Sequence, residues 1–316
     1  MEVTGIDISK TTFDAYNESH GHHKFSNNTA GFQQLIDVFG SGHYIMESTC
    51  SYHISLALFL FESSHHVSVV NPLPVKRFIQ MRMQKLKTDK SDAKMLCLYG
   101  KYEAPKAWTP EPEFIQEAKL ALSLIELYLR QQTALKNKLD NLVSGGTTKG
   151  KLIRSIHRQL KKLNQEISGL NDQIHSSIRD NAPKQLAQIS SIPGIGKKTA
   201  ILLLVHSNLF RDFEDYRQFI AYCGLCPVHQ SIGTSIQGRS YISKKGNKHL
   251  RNHLFLCSFT ASVHNRQCKA LYQRLVNKGK SKKLALIAVS NKLIKQAFGV
   301  VKNDLVYDTN YVSMQP

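Results

Sequence analysis

Between Tyr216 and Asn303 the chain contains no aspartate and no glutamate, while the same 88 residues carry 16 lysines and arginines. An ordinary solvated surface mixes both signs. A one-signed stretch of this length points to a polyanionic partner, nucleic acid before an anionic membrane. Long apolar runs are missing too: the one in HISLALFLFESS is too short to span a bilayer. The opening MEVTGIDIS has no basic segment followed by an apolar one, so no signal peptide is read there. A reducing cytoplasm is the expected location. Cysteine is sparse: Cys50, Cys97, Cys223, Cys226, Cys257 and Cys268 are scattered in a way that excludes a disulfide framework. Cys223 and Cys226 form C-x-x-C, and His249 and His253 follow in HLRNH. The interval exceeds zinc-finger spacing, and CGLC lies in the apolar stretch FIAYCGLCP, so packed thiols are the expectation.

What is present is enough chain for two or three domains: 316 residues, 41% hydrophobic and 21% charged. The charge is unevenly placed. Residues 1–105 hold 10 bases and 10 acids, so the formal +19 belongs to the remainder. The neutral part alternates strand and helix signals. VTGIDIS, TTFDAYN and HHKFSN read as strands, AGFQQLIDVFG as a helix, HYIMES as a strand, SYHISLALFLFESS as a helix and HHVSVVNP as a buried strand. PVKRFIQMRMQ and TDKSDAKMLCLYGKY follow as helices. That element order predicts an α/β RNase H-like (RuvC-like) domain over 1–105. The Pro-rich EAPKAWTPEPEF reads as a linker. Two long polar-apolar patterns broken at SGGTTKG read as an antiparallel coiled-coil arm, completing a region 106–182. Residues 183–316 form the third, mainly helical region, beginning with a helix-hairpin-helix-like turn, PGIG. There the glycines let backbone approach a phosphate, and Lys197 and Lys198 open the next helix. A Walker A reading fails, because Ser191 stands where its first glycine belongs and Lys198 follows Lys197.

Four acids of the first domain carry chemistry together. Asp7 ends the first strand and Glu47 the fourth, and Asp89 and Asp92 begin the last helix. A lone D-x-x-D is ordinarily a solvated helix face. In an RNase H-like sheet, however, the first and fourth strands are neighbours and the final helix packs across them. Four converging carboxylates need counter-charge, and two Mg2+ or Mn2+ ions with oxygen ligands supply it. Such a pair supports in-line attack on a phosphodiester. The opening GIDISKTT also faintly resembles the phosphate-binding turn of sugar kinases. No adenosine-binding glycine motif follows, and the charge opposes that reading.

GIDISK, IMEST, KTDKSDAKML, SIPGIGKKTA, FIAYCGLCP and ISKKGNKHLR, in this order along nearly the whole chain, resemble the signature stretches of the DEDD-type insertion-sequence transposases, the Piv-invertase-related, bridge-RNA-guided recombinases. The resemblance implies that Asp7, Glu47, Asp89 and Asp92 are the metal-binding catalytic acids. It implies a serine nucleophile in the loop HQSIGTSIQGRSYISK. Ser231 is the best match, but Ile232 separates it from the glycine, so Thr234 and above all Ser235 compete. A serine hydroxyl needs activation by a base or metal. Arg239, Lys244, Lys245, Lys248 and Arg251 flank the loop as candidate phosphate ligands. The implied activity is cutting and rejoining double-stranded DNA at element ends and target, guided by a structured RNA and carried out by a homo-oligomer. A RuvC-like Holliday-junction resolvase or plain nuclease, using only the four acids, is the alternative.

Overall fold

The computed structural model describes residues 1–48, 51–82, 89–146, 150–228, 231–232, 236–237 and 241–310, with the backbone alone for residues 89, 231, 232, 236 and 237. The chain divides into two compact units, Met1–Pro110 and Glu111–Pro316.

The first unit runs β1 (Val3–Ile8), β2 (Thr12–Asn17), β3 (Gly21–Ser26), α1 (Thr29–Phe39), β4 (His43–Glu47), α2 (Ile54–Glu62), β5 (His66–Val70), α3 (Pro72–Met81) and α4 (Asp89–Glu103). Each element read from the sequence of this part is present. The sheet order is β3-β2-β1-β4-β5, with β1, β2 and β3 antiparallel and β4 and β5 parallel to β1. This mixed α/β sheet is compatible with the RNase H-like order. Local chemistry sets the ends: Asn28 accepts a hydrogen bond from the Gly31 amide to start α1, and Asn71 caps α3 ahead of Pro72.

The sheet buries both faces, and the pleat sorts its residues between them. Ile6, Ile8, Phe13, Ala15, Tyr44 and Met46 meet Phe32, Leu35, Leu56 and Leu60 of α1 and α2. Val3, Ile45 and Val70 meet Val75 of α3 and Leu96 and Cys97 of α4. The Pro-rich stretch read as a linker, within which the two units divide, packs along β5 over its first part. Ser68 Oγ lies 3.0 and 2.8 Å from the carbonyl oxygens of Pro105 and Lys106, and the Trp108 amide donates to Val67 O at 2.7 Å. The reason is that β5 is an edge strand, and the segment covers its unpaired backbone. His43 Nε2 stands 2.8 Å from the same Ser68 hydroxyl, and burial, with the stacked His66, pushes its pKa down to about 4.

The second unit is mostly helical: α5 (Glu113–Ser144), α6 (Gly150–Asn181), α7 (Pro183–Ser190), α8 (Lys197–His206), α9 (Tyr216–Tyr222), α10 (Lys248–His264), α11 (Arg266–Asn277) and α12 (Lys282–Lys302). The 32-residue helices α5 and α6 pack on each other along a seam that includes Gln132 Nε2 donating to Asn164 Oδ1 at 2.7 Å. α8 is buried from Thr199 to Val205. Among the described residues α12 is long and apolar enough to cross a membrane, a feature the sequence reading passed over. Here it is a core helix, with Val289, Leu293, Ile294 and Ala297 fully enclosed.

Candidate functional site

Three contacts along one face of β1 show where α4 lies. A Cβ on Gly100 would stand 2.8 Å from Val3 Cγ1 and 2.5 Å from Ile45 Cγ1. A Cβ on Gly5 would collide with the backbone of Ala93 and Cys97. Cys97 Sγ donates to Val3 O at 3.0 Å. The helix therefore descends β1 from its C-terminal half at Val3 to Ala93 at Gly5. The next residue on that face is Asp7, and the next turn of α4 toward its start holds Asp92 and Asp89. On the neighbouring parallel strand Gly5 pairs with Ile45. Glu47 stands two residues beyond Ile45, as Asp7 does beyond Gly5. The C-terminal ends of β1 and β4 and the first turn of α4 thus meet at one edge of the sheet. Asp7, Glu47 and Asp92 are half-buried, and each has an interaction partner. Among the described residues no three His, Cys, Asp or Glu side chains are gathered closely enough to hold an ion, and the Asp89 side chain lies outside those residues.

One acid on this face was missed from the sequence. Asp14 of β2 pairs directly with Asp7. It is only 6% exposed, accepts a hydrogen bond from His22 Nε2 at 2.7 Å and has Lys24 Nζ at 3.7 Å. The signal was available: TTFDAYN alternates, and Asp14 falls in the phase opposite Phe13 and Ala15, toward α4. Gly5 was a second available signal, since a glycine inside a strand marks close backbone approach.

In the second unit the described residues of the Gly/Ser-rich loop form two short antiparallel pairs. β6 (Pro227–Val228) pairs with β9 (Tyr241–Ile242), and β7 (Ser231–Ile232) with β8 (Ile236–Gln237). Ser231 is paired through its backbone with Gln237. Thr234, Ser235 and Arg239 lie outside the described residues. At the base of the hairpin Lys244, Lys245 and Lys248 are exposed beside the start of α10. Arg251 is half-buried, and its Nη1 donates to Cys223 O at 2.9 Å, tying the CGLC turn to α10. Cys223 is fully buried, and burial raises its thiol pKa to about 12. His249 and His253 form a pair with Nε2 atoms 3.2 Å apart. Lys197 and Lys198 are exposed at the start of α8, after a turn in which Gly194 adopts φ +103°.

Comparison with known proteins now adds to this geometry. Residues 4–146 match the DEDD transposase family model of the IS110 type, described as Transposase, and residues 186–273 match the Transposase IS116/IS110/IS902 family. The chain is 31% identical to the pilin gene-inverting protein of Moraxella bovis, over 96% of this chain and 97% of that one. It is 23% identical to a probable family 20 transposase of Pseudomonas aeruginosa, over 96% and 97% of the two chains. The chain belongs to the DEDD transposases of insertion sequences. The two matched segments fall on the two structural features above: the first spans the sheet with its acidic edge, and the second spans the α7–α8 turn, the hairpin and α10. The transposase is an enzyme that acts on DNA in insertion-sequence recombination, and its family typically uses divalent metal ions. The donor chemistry at the sheet edge suits such ions. Carboxylate oxygens, such as those of Asp7, Glu47 and Asp92, are the ligands that hard divalent cations take.

Proposed function

We propose that this transposase cuts and rejoins DNA with Asp7, Glu47, Asp89 and Asp92 as ligands for a pair of Mg2+ or Mn2+ ions and with a serine of the β6–β9 hairpin as nucleophile. Ser231 is the first candidate and Ser235 the alternative. The observation that carries the metal reading is the backbone convergence of the β1 and β4 ends with the start of α4. When bound, such ions would stabilise charge on the attacking and leaving oxygens during displacement at a phosphodiester phosphorus. Rejoining is favoured over simple cleavage by the relative named for inverting a pilin gene, since inversion requires every cut to be resealed.

In the serine step the hydroxyl oxygen forms a bond to phosphorus and one DNA P–O bond breaks. The serine proton leaves, and the released DNA hydroxyl takes one up. The phosphodiester is conserved as a protein–DNA link, and the reverse reaction on a new hydroxyl frees the enzyme. The exposed Lys197, Lys198, Lys244, Lys245 and Lys248, with Arg239 and Arg251, hold the nucleic-acid backbone in this reading, with duplex DNA and a structured guide RNA as partners. The chain then has three working parts: a RuvC-like domain over 1–105, a coiled-coil arm over 106–182 that joins protomers, and a C-terminal transposase domain over 183–316. It works in the cytoplasm, on the nucleoid.

The test is covalent trapping. The protein is incubated with Mg2+, element-end DNA and RNA transcribed from the element flank, denatured, and examined for a protein–DNA adduct. The expected result is an adduct that Asp7→Ala abolishes and that one of Ser231→Ala or Ser235→Ala abolishes. Metal-dependent cleavage without an adduct, indifferent to both serines, replaces the serine mechanism with the resolvase or nuclease reading.

A further inference from the structure

The α4-facing side of the sheet carries a transverse row of charge: Lys24 and His22 on β3, Asp14 on β2, Asp7 on β1 and Glu47 on β4. Asp14 is the odd member. It lies outside the four acids, yet it is the most enclosed carboxylate of the row. Its two partners compensate it incompletely. Lys24 is more than half exposed and stands 3.7 Å away, while His22 gives one hydrogen bond. A buried carboxylate held by one ion pair and one hydrogen bond is weak evidence of a stabilising role. Residues directly opposed on antiparallel strands also have Cβ atoms about 5 Å apart, a distance at which like charges repel.

We infer that Asp14 is a positioning residue for Asp7: anchored toward β3 by His22, it turns the Asp7 carboxylate toward Glu47 and raises the affinity of that edge for a divalent cation. The inference rests on the reading of Asp7 as a metal ligand. The physical sense is electrostatic. The hydrogen bond from His22 and the ion pair with Lys24 hold Asp14 on the β3 side, so its repulsion acts on Asp7 from one direction. On the other side of Asp7 lies β4. A cation between Asp7 and Glu47 experiences Asp14 as a further negative charge that it does not have to ligate. Outer partners of this kind orient metal ligands and tune their affinity.

The test is direct binding of Mn2+ to the full-length protein, followed through the electron paramagnetic resonance signal of the free ion. It is run on wild type, Asp7→Asn, Asp14→Asn, His22→Leu and His22→Gln, with cooperative thermal unfolding checked for each. Asp14→Asn is expected to weaken Mn2+ binding about 10- to 100-fold while Asp7→Asn removes the same site. His22→Leu, which cannot donate to Asp14, is expected to weaken binding; His22→Gln, which retains a donor, is expected to preserve it. Wild-type affinity in both Asp14→Asn and His22→Leu, with binding still dependent on Asp7, overturns the positioning role alone. Binding indifferent to Asp7 overturns the metal reading and this inference with it. If Asp14→Asn fails to unfold cooperatively, the two His22 variants, at a partly exposed position, decide the matter.

Discussion

Gly5 is the residue on which the acidic edge turns. A methyl group there has nowhere to go, because the opposing atoms are the backbone of Ala93 and Cys97 rather than flexible side-chain ends. α4 must move outward, and Asp89 and Asp92 move with it. Gly5→Ala is expected to destabilise the protein by about 2–3 kcal/mol. It should reduce DNA strand cleavage more than Gly100→Ala, which meets only the side chains of Val3 and Ile45. Paired thermal-melt and cleavage assays check both. At this scale much was readable in advance. Asp7 and Glu47 lie near strand ends and Asp89 at a helix start, in the expected order, whereas the places of Asp14 and Gly5 escaped. Their meaning depends on what stands opposite them: β3 for Asp14, α4 for Gly5.

Among the elements, long periodic ones were legible and short ones were not. The five strands of the sheet and the helices α5, α6, α10, α11 and α12 announce themselves by alternation or by three- and four-residue steps. α7 and α9 have 8 and 7 residues, too few for a period to stand out. The strands β6 to β9 have two residues each, so the hairpin around Ser231 read as a loop. The turn between α7 and α8 has its own test. Gly194 holds a positive φ, and a Cβ there would sit 2.6 Å from Ala261 Cβ of α10. Gly194→Ala combines backbone strain with overpacking and is expected to cost about 2–4 kcal/mol, read from denaturant unfolding. Gly196, with nothing near its Cβ position and φ −77°, should accept alanine at much smaller cost.

Across the whole molecule, stability should depend on pH through buried neutral histidines in both units. Burial is the first cause that holds His43, His206 and His253 down to about 4. The unfolded chain takes up these protons near pH 6.5, the folded chain only near 4. Between those values the unfolded state binds more protons, so the contribution is complete above about 6.5 and is lost as pH falls toward 4. Denaturant midpoints at pH 7.5 and pH 5.0 should differ, with roughly 2–4 kcal/mol less stability at the lower value. Equal midpoints would show that these rings are protonated in the folded protein. At this scale the charge count separates a nearly neutral first unit from a strongly basic second one.

Composition, order and periodicity by themselves determined the class of partner, the α/β-then-helical order and the placement of Asp7 and Glu47 near strand ends and of Asp89 at a helix start, because these are properties carried along the chain. Tertiary structure alone decided that the Pro-rich segment lies on β5, that α12 is a core helix, that Arg251 ties down the CGLC turn and that Asp14 faces Asp7. Each of these depends on which backbone comes to lie against which. A linear pattern records whether a residue prefers water or the interior, but pairing register and helix placement determine the neighbours it meets.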